Sequence, residues 1–205
     1  MELDDFKAAW AQYDEKLTEN LKFNEELLKS MNLDKSNREF NKLLTYEIVS
    51  VVIVGLFLVY ISAATIRFAS EIKFLLSGLV SIITLLPLLL FAILKTNMLS
   101  KIDYYNASVV DLQKSINLFN QKYLVFRKLE LFIFPLYVIS VVPILGIAAR
   151  NFDFFVHIER YGAGVFLALV IGYPLLIWIY KNWYDKKIQH TKLFLEAINK
   201  FEKEE

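Results

Sequence analysis

The chain has no cysteine and only 2 histidines, 6 glycines and 4 prolines among its 205 residues. Without cysteine there is no disulfide, no thiolate nucleophile and no cysteine-bound metal. The two histidines, His157 and His190, fall on opposite sides of the membrane layout derived below, so they cannot share a metal ion. The glycines are too scattered to cradle a phosphate, and no G-x-x-x-x-G-K-[ST], G-x-S-x-G or H-E-x-x-H pattern occurs. These absences predict a chain that is not an enzyme, with no catalytic residue, no metal and no cofactor. Charge of one sign is lacking too: 23 Lys or Arg face 22 Asp or Glu, a net charge of +1, which gives no general attraction to nucleic acid. The opening stretch MELDDFKAAW is acidic where a signal peptide needs a basic start and an apolar core, and predicts no cleaved signal.

Hydrophobic residues fill the gap. They make up 56% of the chain, above the roughly 45–50% of soluble domains, and they concentrate in four runs. A spanning helix needs about 20 mainly apolar residues. The runs at 46–65, 74–94, 131–149 and 162–180 meet that requirement. Arg67 and Glu71 mark a short hairpin between the first two runs, and RNFDFFVHIERY, residues 150–161, reads as an interfacial turn between the last two. Pro135 and Pro143 predict kinks, and Gly172 with Pro174 predicts a bend. Trp178, Tyr180, Trp183 and Tyr184 read as an aromatic anchor at the headgroups. Glu47, near the end of the first run, is the one ionisable residue in the four; it is read as a headgroup-level side chain rather than a gating carboxylate.

Three polar segments surround these runs. Between 95 and 130, Met98, Ile102, Tyr105, Val109, Leu112, Ile116, Phe119, Tyr123 and Phe126 recur at steps of four and three, a heptad seam on one helix face. Asn106 and Ser108, followed by Asp111, offer a place for one helix to end and another to start. In the first segment Leu3, Phe6, Trp10, Tyr13, Leu17, Leu21, Leu28 and Met31 form a second stripe, interrupted by Asn20 and Asn24. Ser36 and Glu39 read as a capping box opening a further helix. In the tail, Ile188, Leu195, Ile198 and Phe201 form a third stripe.

The predicted organisation is a cytoplasmic N-terminal arm at 1–45, a transmembrane hairpin at 46–94, a cytoplasmic heptad segment at 95–130, a second hairpin at 131–180 and a cytoplasmic C-terminal helix at 181–205. The predicted fold class is all-α, a polytopic membrane protein with four transmembrane helices and a bundle of cytoplasmic amphipathic helices. Sidedness follows from the basic residues: the three polar segments hold 19 Lys or Arg and the two hairpins 4, which places both termini in the cytoplasm. Membrane lipids are the partners this layout demands.

The opening positions Leu3, Phe6, Trp10, Tyr13-Asp14, Lys16-Leu17, Leu21, Asn24 and Leu27-Leu28, followed by four membrane helices, resemble a group of small four-helix membrane proteins of Bacteroides-like bacteria associated with extracytoplasmic-function sigma factors. The resemblance implies an anti-sigma-like role, in which the arm occupies a sigma factor or another cytoplasmic regulatory protein and the membrane part senses stress. Phe6, Trp10, Tyr13 and Leu17 are the expected partner-binding residues, because buried aromatics dominate helix-in-groove contacts. The opposing expectation is that these four pack on the seam of 98–126 within the chain. Two further readings are a small channel or transporter subunit, and a homo-oligomeric scaffold whose seam pairs between protomers. Direct nucleic-acid binding is not expected, since 10 acidic residues outnumber 7 basic ones before Tyr46.

Overall fold

The computed structural model describes the backbone of residues 3–104 and 107–204, and their side chains except at 3–6, 8–9, 11–12, 15, 18–21, 23–26, 109, 160–161 and 199–204. The described chain is helical, with no strand: α1 (Leu3–Arg67), α2 (Ile72–Ser100), α3 (Val109–Arg150), α4 (Ile158–Ile179), a π-helical turn (Tyr180–Asp185) and α5 (Lys186–Glu204). Four of these helical stretches are long and apolar enough to cross a membrane.

α1 is one helix of 65 residues, about 100 Å long at 1.5 Å per residue. The capping box expected at Ser36 does not form: Ser36 lies buried inside the helix, and Glu39 bridges Lys42 at 2.7 Å and Lys187 at 2.8 Å. The reason is the scarcity noted above. No glycine or proline precedes Gly55, so nothing in the backbone stops the helix, and packing of Phe40 and Leu43 overrides the weak capping preference. The expected break in the seam does occur. α2 ends at Ser100, and Ser108 caps α3 by accepting from the Asp111 amide at 3.1 Å.

Two cores result. At one end of the bundle Phe40, Leu43, Leu112, Ile116, Phe119, Tyr123, Ile188, Leu195 and Ile198 pack together. The lower part of the heptad seam is therefore filled from within the chain, by α5 and by the stretch of α1 around Phe40. Leu112 and Phe119 are each only 1% exposed within the single chain. The second core, Ile61, Ala64, Phe74, Leu85, Val141 and Ile144, lies in the membrane-crossing part. There a Cβ on Gly78 would meet the Thr65 hydroxyl at 2.0 Å, so glycine is what lets α2 approach α1 this closely. α2 and α3 are joined by hydroxyls: Ser77 donates to the Ser140 carbonyl at 2.5 Å and Ser81 to the Ser140 hydroxyl at 3.1 Å. α4 packs on α3 and on the π turn, and Phe166, Leu167, Val170 and Ile171 remain exposed, as lipid-facing side chains are.

Candidate functional site

The two ends of the bundle carry different chemistry. At the hairpin end, the 68–71 and 151–157 turns meet through Lys73, which pairs with Asp153 and with Glu71 at 3.1 Å. Asp153 also accepts from the Phe155 amide at 2.9 Å, and Phe74 contacts Phe155 with ring centroids 5.9 Å apart. Asn151 ends α3 in the left-handed conformation, φ 50°, which asparagine tolerates. The Lys73 hydrogen bond holds the Asp153 carboxyl below its ordinary range.

At the opposite end, where the four spanning stretches meet the other core, three charged residues are buried together. Glu47 of α1 is 0% exposed, and Lys95 of α2 and Glu130 of α3 are 5% and 8% exposed. The Lys95 ammonium lies 3.0 Å from a carboxylate oxygen of each glutamate. The Tyr180 hydroxyl donates to Glu130, and the Lys95 ammonium sits 5.7 Å from the centre of the Tyr184 ring. The Glu47 carboxylate is met by the Lys95 ammonium and by the Tyr184 hydroxyl. Glu47 is thus not the headgroup-level side chain expected from its position. It turns inward because α2 and α3 bring Lys95 and Glu130 to the same level.

The π turn completes the site. Its i→i+5 spacing keeps Tyr180, Tyr184 and Asp185 on one side of the chain. Tyr180 and Tyr184 are 7% exposed each, whereas Trp178 and Trp183 are 54% and 44% exposed. Only the two tryptophans are therefore available to the headgroups; the two tyrosines face inward, correcting the expected four-residue anchor. Tyr184 stacks on Tyr123, with centroids 5.3 Å apart and planes at 10°. Asp185 accepts two bonds from Arg127, at 3.0 and 2.8 Å, and lies 3.3 Å from the Tyr123 hydroxyl. A cavity of about 250 Å³ adjoins the charged residues, lined by Lys95, Glu130, Tyr180 and Tyr184 at its polar side and by side chains such as Val54, Leu88 and Leu176 elsewhere.

Of the four residues expected to bind a partner, Trp10, Tyr13 and Leu17 are 61%, 66% and 47% exposed on the first part of α1, and the Phe6 side chain lies outside the described residues. Lys95, Glu130, Tyr180 and Tyr184 were not singled out as a site by sequence reasoning. The available signal was that Glu47, Lys95, Glu130 and Tyr180 each sit at the same end of a different apolar run. His157 and His190 lie at opposite ends, in the 151–157 turn and in α5. Among the described residues no group of three His, Asp or Glu is placed to hold a metal ion. No protein-family model matches the chain, and no curated protein and no solved structure matches it significantly.

Proposed function

We propose that this chain is a membrane-embedded binding protein whose N-terminal arm holds a cytoplasmic regulatory protein through Phe6, Trp10, Tyr13 and Leu17. A sigma factor is the partner the sequence resemblance points to. The observation that carries the reading is the contrast along α1. Phe40 and Leu43 are buried against the seam and α5, while Tyr13, Leu17, Leu27, Leu28 and Met31 of the same helix stay exposed. A helix presenting such a stripe suits a groove on a partner. The arm is also acidic: residues 1–31 hold 8 Asp or Glu and 4 Lys, a difference of −4, which favours a partner with a basic rim. The 19-to-4 distribution of Lys and Arg between the two faces supports a cytoplasmic arm in the inner membrane.

The test is co-purification from the native cells of the full chain, of a chain lacking residues 1–35 and of the triple variant W10A/Y13A/L17A. The expected result is one stoichiometric cytoplasmic regulator retained by the full chain and lost from both others, with the melting temperature of the triple variant unchanged. Truncating an anchor residue costs about 2 kcal/mol, or roughly thirtyfold in affinity. A partner retained equally by the triple variant would overturn the assignment of these residues, and recovery of the protein alone from every sample would overturn the reading itself.

A further inference from the structure

We infer that the cavity beside Glu130 is a binding site for a small amphipathic monocation, an alkylammonium whose charge rests on the Glu130 carboxylate and whose apolar part lies against Val54, Leu88 and Leu176. The inference does not rest on the arm or its partner.

The first ground is charge. Counted as ionised, Glu47, Lys95 and Glu130 sum to −1, and all three are at least nine-tenths buried. One ammonium is shared between two carboxylates, at 3.0 Å from each, and the other polar group that meets Glu47 is the neutral Tyr184 hydroxyl. A buried excess charge is costly unless a second positive charge meets it. With a cation on Glu130, Lys95 is released to serve Glu47, and each carboxylate gains a partner of its own. Tyr180 already donates to Glu130, which leaves the carboxylate's remaining lone pairs for the incoming ammonium.

The second ground is space. The cavity of about 250 Å³ reaches Glu130, Lys95, Tyr180 and Tyr184, and it extends between α1, α2, α3 and α4 along mainly apolar side chains. That is below the roughly 300–1,000 Å³ of sites for drug-sized ligands, so a cation with a short alkyl chain is the matching size. The Tyr180 and Tyr184 rings suit the ammonium end, and the apolar walls favour an alkyl body over a fully hydrated ion. Because Tyr180 and Tyr184 belong to the π turn that leads directly into α5, occupancy is positioned to be felt in the extramembrane core.

The experiment measures binding of n-butylammonium chloride to the full chain in lipid nanodiscs by saturation-transfer NMR, with empty nanodiscs as the blank and n-butanol and ammonium chloride as comparison ligands. The expected result is saturable binding of n-butylammonium at one site per chain. Both n-butanol and ammonium should bind at least tenfold more weakly, because each lacks one half of the recognised chemistry. Glu130→Gln should weaken binding at least tenfold. Leu176→Trp, which narrows the cavity from a partly exposed position without touching a charge, should do the same and guards against misfolding of the Gln variant. Absence of saturable binding, equal binding of n-butanol, or binding unaffected by Leu176→Trp would each overturn the site. Uptake of a proton by the cluster without any cation binding would also overturn it, by showing that the excess charge is neutralised from within.

Discussion

Two ion-pair centres sit at opposite ends of one helical bundle, and they are built for different purposes. Lys73, Asp153 and Glu71 join the two hairpin turns where water and headgroups reach them, with side chains 35%, 24% and 54% exposed. Lys95, Glu47 and Glu130 join three helices in the interior, with side chains 6%, 0% and 9% exposed. An exposed pair in high dielectric contributes little and is screened by salt. A buried one carries a large desolvation cost, and its retention says more about position and specificity than about stability. The comparison teaches that the hairpin centre is a fastening that can be undone cheaply, whereas the buried centre sets the spacing of α1, α2 and α3.

Breaking the buried centre should have the largest effect. Lys95→Met leaves two carboxylates facing each other without an ammonium, and it is expected to cost about 3–5 kcal/mol, seen as a marked fall in melting temperature in detergent. A fall no larger than that of a surface substitution would mean that water or lipid headgroups already reach the cluster. The triple variant E47L/K95M/E130L sharpens the comparison, because it removes the desolvation cost along with the pairing. Its melting temperature should return to that of the parent or rise, by up to about 4 kcal/mol of stability, and a triple variant as unstable as Lys95→Met would show that the charges themselves hold the bundle. The smallest effect belongs to Asp153→Asn. The folded Asp153 carboxyl titrates below its unfolded value, so its contribution is present above the unfolded pKa of about 3.9 and is lost as pH falls through the folded pKa. Above pH 5 the variant should melt slightly lower than the parent, and the difference should vanish in acid and shrink in high salt. A gap that stays constant from pH 7 to pH 3 would place the effect in packing of the turn instead.

Much of this architecture was readable in advance, and the misses have physical causes. The four apolar runs announce themselves because a spanning segment must be long and nearly free of charge whatever it packs against. Leu112, Ile116, Phe119 and Tyr123 could be picked out as a buried stripe because helical periodicity survives any choice of partner. Ser36 misled because a capping pattern is a local preference of about 1 kcal/mol, too small to end a helix that Phe40 and Leu43 anchor on both α3 and α5. Glu47 misled for a related reason: a carboxylate near the end of an apolar run is ordinarily within reach of water, and only the arrival of Lys95 from another helix makes an inward orientation tenable. Tyr180 and Tyr184 looked like the neighbouring tryptophans because composition does not reveal a π turn, which changes the faces that residues occupy without changing the sequence pattern around it.

The sequence by itself determined that this is an all-helical chain with four stretches able to cross a membrane, that the polar segments lie at one end of the bundle, and that cysteine chemistry is excluded. Those properties depend on composition and on the 3.6-residue period, both of which are local. Tertiary structure alone decided which stripe fills which groove, that the heptad seam is closed by α5 and the middle of α1, and that Glu47, Lys95 and Glu130 converge beside a cavity. Such choices depend on the relative depth and rotation of separate helices, and these are set by long-range packing around residues such as Gly78, Ser140 and Tyr184.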